Sequence, residues 1–306
     1  MRNYISKLKI ISIFLMIFSG TFCFAGISQV NAAITFGNTG KTGLWECDFN
    51  LCPDETRIGG SPSTLCGGTT GMTWYGNGVP STQQSYYTSI NSINGRTGKG
   101  IRIWKGSGED NWTGGMNIQW PSIFDEFSIR MYMRWGAGEP LAQVDGGYNK
   151  TLYIMVGNTN YNIVDILSGM TRVTMTFPSR NIYSNSLAST QTFMADHGWH
   201  CFEYYYNFSS GTHRIWIDGV NAMDISGQIT PALSWDHVAI TSNNQAGFVV
   251  ANGYDLSTDI DDIAIVNGSY TGWQYDAQGR KMIGLLTGGS PFDTTPPAAP
   301  TGVTVQ

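Results

Sequence analysis

Within HCFEYYYNFSSGTHRIWIDG, residues 200–219, the charged groups Glu203, Arg214 and Asp218 recur among aromatic rings. An upstream run, FDEFSIRMYMRW (124–135), adds Arg130 and Arg134 on either side of Tyr132. Flat rings cover the apolar faces of sugars, while guanidinium, carboxylate and carboxamide groups bridge their hydroxyls. An outward surface carrying Arg130, Tyr132, Arg134, Glu203, Tyr205, Asn207, Arg214 and Trp216 would therefore suit a carbohydrate. The plain alternative is a solvated sheet face, with Glu203 and Arg214 as a cross-strand ion pair.

Alternation decides which side chains share a face, because successive strand residues point to opposite sides of a sheet. One set of each strand is apolar: Ile129, Met131 and Met133; Phe202, Tyr204, Tyr206 and Phe208; Ile215 and Ile217. The other is mixed: Arg130, Tyr132 and Arg134; Cys201, Glu203, Tyr205 and Asn207; Arg214, Trp216 and Asp218. An unpaired buried charge costs several kcal/mol, so the apolar sets are expected inside and the mixed sets outside.

The rest of the chain supplies more strands of this kind. Alternating runs occur at 98–106, 150–157, 171–177, 235–242 and 258–268, separated by Gly, Asn, Ser and Pro clusters. No stretch sustains a helical apolar period. The 38 glycines and the 13% aromatic content fit turns and strands. The expected fold is all-β, a jelly-roll β-sandwich of two antiparallel sheets.

Both ends of the chain read differently. Residues 1–32 have the form of a secretory signal peptide: Arg2, Lys7 and Lys9, an apolar run from Ile10 to Phe18, and small residues before Ala33. The apolar run is short for a membrane span, and no other stretch is long and apolar enough to be one. Losing the signal moves the formal charge from −5 to −8. An acidic chain without a basic run does not suit nucleic acid. Residues 33–292 form the expected domain. DTTPPAAPTGVTVQ (293–306) is a Pro/Thr-rich linker resembling the start of a fibronectin type III module. The expected location is secreted or cell-surface, in a bacterial extracellular or periplasmic setting. There Cys47, Cys52, Cys66 and Cys201 are expected to form disulfides, with the pairing open among three connectivities.

Three motifs carry a family resemblance: Trp199-His200 opening a strand, Trp216-Ile217-Asp218-Gly219 closing a hairpin, and Asp261-Asp262-Ile263 in a late strand. They resemble the concanavalin A-like lectin/glucanase superfamily, in particular its laminin G-like and polysaccharide lyase-like jelly rolls. The resemblance implies a ligand groove on one sheet and leaves the activity open, because one fold hosts many functions. The paired-carboxylate strand of a glycoside hydrolase is absent. A lyase acting on uronate-containing glycans by β-elimination needs a cation for the carboxylate, a base and an acid. Arg130, Arg134, Tyr205 and Glu203 are the candidates for those tasks. The leading expectation is a non-catalytic polysaccharide-binding module, with the lyase as the alternative.

Metal chemistry has two candidate sites. Glu46 and Asp48 on an early strand could approach Asp259 and Asp261 on the last one, an oxygen set suited to structural Ca²⁺. His197 and His200 flank a Gly-Trp step, a poor spacing for zinc ligands on a strand.

Overall fold

The computed structural model describes residues 43–49, 56–57, 73–76, 86–91, 95–96, 98–105, 115–119, 124–135, 148–156, 159–167, 172–177, 182–186, 196, 198–228, 237–243 and 256–286. All of them belong to the unit Ala32–Gln306. The signal and linker expectations, with Cys52 and Cys66, fall outside the described residues.

Alternating β-branched and aromatic residues become strands throughout, and no helix occurs among the described residues. In chain order the strands begin with β1 (Leu44–Cys47), β2 (Thr56–Arg57), β3 (Thr73–Gly76), β4 (Tyr86–Asn91), β5 (Gly100–Lys105) and β6 (Gly115–Gln119). Then come β7 (Glu126–Trp135), β8 (Tyr148–Val156), β9 (Thr159–Leu167), β10 (Arg172–Thr176), β11 (Ile182–Ser186) and β12 (His200–Asn207). The last are β13 (Thr212–Ile217), β14 (Val220–Ile225), β15 (His237–Asn243), β16 (Leu256–Asn267), β17 (Gln274–Tyr275) and β18 (Lys281–Met282).

They build two antiparallel sheets and one small hairpin. The large sheet runs β14-β13-β12-β7-β16-β5-β4-β2, and the second sheet β11-β10-β9-β8-β15-β6-β3. Among the described residues β17 and β18 pair with each other alone. One edge of the long strand β16 is shared: Leu256 to Ile260 pair with β5, and Ile263 to Val266 pair with β1. Between these halves the register with β7 shifts at Asp261, and Asp262 takes a left-handed φ of 48°. This is a β-bulge, and it seats a loop: Asp261 accepts the Arg96 N–H at 2.7 Å and Asp262 accepts the Arg96 guanidinium.

The apolar sets read from alternation meet between the sheets. Ile129, Met131 and Met133, Phe202, Tyr204 and Tyr206, and Ile215 and Ile217 form one buried cluster. Leu152 and Ile154, Val173 and Met175, and Val238 and Ile240 of the second sheet complete it. The sandwich expectation is met, with the predicted sides inward. His213 sits in this core as a neutral ring: Tyr204 Oη stands 2.9 Å from its Nδ1, and its Nε2 points at the Gln228 carbonyl.

Candidate functional site

The mixed side chains also share one face, as alternation requires. Across β7, β12 and β13 the register aligns Arg130 with Glu203 and Glu203 with Trp216. Tyr205 lies opposite Ser128 and Arg214, and Tyr132 lies between Cys201 and Asp261. The expectation that this face is open needs correction. Glu203 is 1% exposed, Trp216 0%, Arg130 4%, Tyr205 5% and Tyr132 6%. Residues 270–286, the β17–β18 hairpin and its flanks, lie over them as a strap.

Local sequence explains how the strap turns and docks. In Asp276-Ala277-Gln278-Gly279 the Asp276 carboxylate accepts the N–H groups of Gln278 and Arg280 at 2.9 and 3.0 Å, closing the hairpin. Gly284 has a φ of 84°, a left-handed conformation that favours glycine. The strap then joins the sheet through polar groups. The Ile283 and Gly284 N–H groups donate to Glu203, the latter at 3.0 Å. Arg130 donates to the Gly284 carbonyl at 3.0 Å, and the Leu286 N–H donates to Tyr132 Oη at 3.1 Å. Trp216 Nε1 donates to Asp276 at 3.0 Å. Apolar packing fills the gaps: Ile283 and Tyr270 against Ala264 and Val266, and Met282 against Tyr205 and Trp216.

Each lyase candidate is held by such a partner. Burial pushes the Glu203 carboxyl above its ordinary pKa, against the pull of the two strap amides, the Ser128 hydroxyl and Arg130. Tyr205 donates to Glu126 at 2.7 Å, and burial together with that carboxylate raises its pKa further from neutrality. Burial likewise pushes Tyr132 up to about 12. A general base or acid works best near the ambient pH, and neither tyrosine is placed for that. Arg134 donates twice to Asp259, at 2.7 and 3.1 Å, and Arg102 grips the same carboxylate at 2.6 and 2.9 Å. Lys281 joins Tyr205 on Glu126, at 2.9 Å.

The Glu203–Arg214 ion pair is also corrected. Register sets Arg214 beside Tyr205, whose ring centroid lies 5.4 Å from the guanidinium, and Arg214 pairs with Asp224 at 3.0 Å. Asn207 accepts from the Ser209 hydroxyl and the Ser210 N–H at 3.0 Å, which closes the β12–β13 turn.

The carboxylates of the calcium expectation meet basic and amide partners. Of the calcium set, Asp259 lies between two guanidiniums, and Asp261 holds the Arg96 and Asp262 amides. Glu46 lies 3.9 Å from Arg130, and Asp48 is exposed. Among the described residues no group of three or more His, Cys, Asp or Glu side chains stands ready for a metal. Cys47 and Cys201 are buried, and Cys52 and Cys66, the other two cysteines of the disulfide expectation, lie outside the described residues. Cys47 and Cys201 cannot bridge to each other, because Cys47 faces the core cluster while Cys201 belongs to the opposite side, with β16 and β7 between them. Burial pushes the Cys47 thiol up to about 12.

The outer side of the second sheet remains. Thr151, Tyr153, Thr174 and Ala239 alternate with core residues of β8, β10 and β15 and stand on the side away from the core. Register runs a line from Tyr75 through Asn117 and Ala239 to Tyr153. Reading the sequence missed this line, since β3 and β6 are too short to show a period. It also missed the strap anchors Ser128, Glu126 and Asp276. The Asp-Ala-Gln-Gly turn was the available signal.

No family model matches the chain, and neither does any curated protein, so the concanavalin A-like likeness of its motifs stays a resemblance. Among solved structures the chain is similar to the binding domain of botulinum neurotoxin DC in complex with rat synaptotagmin II. That match has 14% identity, 69% of this chain, 47% of that one and a TM-score of 0.42. It is also similar to botulinum neurotoxin type C, whose cell entry depends on interaction with two ganglioside molecules (14%, 70% and 47%, 0.43). A third is the binding domain of Paraclostridial Mosquitocidal Protein 1 (13%, 62% and 47%, 0.41). The chain spans about half the length of these structures. Likeness of this size has no bearing on the site.

Proposed function

We propose that the chain is a secreted carbohydrate-binding β-sandwich module, which takes its glycan along the outer side of the second sheet. One observation carries the reading: the outer side of the large sheet is closed by the chain's own strap, and every candidate acid, base and cation there is committed to a structural partner. That supports binding over β-elimination and moves the contact surface to the line of Tyr75, Asn117, Ala239 and Tyr153. The Tyr153 ring on this side is the side-chain chemistry that packs on the apolar face of a sugar.

The test is retention on a panel of polysaccharide affinity gels, run beside absorbance at the unsaturated-uronate band. Retention by at least one glycan, loss of it in Tyr153→Ala, and flat absorbance are expected. A rise in absorbance would restore the lyase. Retention that survives Tyr153→Ala would move the site off this sheet.

A further inference from the structure

One imidazole at the start of β12 lies between two groups that only accept hydrogen bonds. His200 Nδ1 is 2.6 Å from Asp218 Oδ2, and His200 Nε2 is 2.9 Å from Asp196 Oδ1. Carboxylates have no hydrogen to give, so both bonds exist together only when both ring nitrogens carry one. A neutral ring keeps a single N–H. Its bare nitrogen then faces a carboxylate lone pair.

The two carboxylates are not held alike. Asp218 occupies the β13–β14 turn with a φ of 51°, its N–H donates to the Cys201 carbonyl at 2.8 Å, and its Oδ1 accepts the Cys201 N–H at 2.9 Å. The Asp218 side chain is 20% exposed and that of Asp196 66%. Asp196 Oδ1 also accepts the Gly198 N–H at 2.8 Å. When one proton leaves, the shorter and better anchored Asp218 bond is kept and the Asp196 bond is given up.

We propose that Asp196, His200 and Asp218 form a proton-operated clamp, which ties the chain entering β12 to the β13–β14 turn and releases Asp196 when the ring loses its Nε2 proton. The other charged and titratable groups on these strands, Arg134 and Tyr132 of β7 and the Cys201 thiol, alternate to the face opposite that of His200. Arg134 is neutralised by Asp259 and lies 4.9 Å from the centroid of Trp199, so the clamp also fixes the indole next to His200. Burial alone would lower the His200 pKa, but the two carboxylates outweigh it and hold it above the ordinary histidine value. The transition therefore falls on the alkaline side of an unperturbed histidine. Opening frees the Gly198 amide to exchange and loosens Trp199 over Arg134.

The experiment follows the His200 ring signals of the full chain by NMR from mildly acid to mildly alkaline pH. Gly198 amide protection, corrected for intrinsic exchange, is read in parallel. His200 is expected to titrate above the ordinary value, with Gly198 protection lost over the same span. Asp196→Asn, a change at an exposed side chain that a thermal melt will show to be folded, is expected to move the His200 midpoint down and to uncouple Gly198 from it. A His200 that holds one protonation state throughout would overturn the clamp. So would Gly198 protection that stays flat through the titration, or a midpoint unmoved by Asp196→Asn.

Discussion

Along β7 and β12 the large sheet buries both of its faces, and by unlike means. Its inner face is apolar, and Ile129, Met131, Phe202 and Ile217 meet the second sheet through dispersion and the exclusion of water. Its outer face is polar, and the strap is held there by a carboxylate, a guanidinium, a phenol and an indole that bind backbone or a single aspartate. The inner face tolerates a change of shape within limits of volume. The outer face tolerates little change of partner, because an orphaned buried polar group costs more than a made bond returns.

The largest test of that contrast is Glu203→Ala. It strands the Ile283 and Gly284 amides and leaves Arg130 buried opposite an apolar group. A loss of about 3–5 kcal/mol is expected in urea unfolding, with new proteolytic cleavage within 270–286. A loss below about 1 kcal/mol would mean that packing alone holds the strap. Met131→Ala, directly across the sheet, should cost about 2–5 kcal/mol while leaving the strap resistant to protease. If both variants release the strap equally, the two faces are one cooperative unit.

The histidines sharpen the comparison through pH. Burial lowers the His213 pKa to about 4, so its contribution is complete above the unfolded value of about 6.5 and is lost as pH falls from there to about 4. That amounts to about 3 kcal/mol at most, visible as a falling melting temperature on the acid side. His213→Gln should flatten that limb. His200 has the opposite sign: its contribution is present below the unfolded value and is lost as pH rises through its raised folded value. A variant lacking His200 should therefore lose its stability difference from the parent at alkaline pH. The smallest effect belongs to Asp224→Ala, which removes the half-exposed pairs with Arg214 and Arg280 and should cost under about 1 kcal/mol.

What could be read from residues alone followed from the period of two. Alternation sorted β7, β12 and β13 into their two faces correctly, because a one-residue error would have put Arg130 and Glu203 among Met131 and Phe202. It said nothing of a layer beyond the outer face. The strap binds Glu203 through backbone amides, which have no side-chain signature, and its own turn spans only a few residues. Asp259 shows the same limit: its carboxylate was visible in the sequence, but the arginines that grip it come from β5 and β7.

The divided edge of β16 has a consequence in time. β1 finds its partners, Ile263 to Val266, close to the end of the described chain, and β7 lies on the other edge of the same strand. A ribosome adds about 5–20 residues per second, so the first strand made waits longest for a neighbour. Until β16 is present no N-terminal portion closes the large sheet, and the strap, later still, has no finished surface on which to dock. Assembly of this sheet is therefore a late event dominated by distant pairings, the kind of topology that folds slowly and leaves sticky strand edges waiting. The same joint that seats Arg96 sets the order in which the molecule is completed.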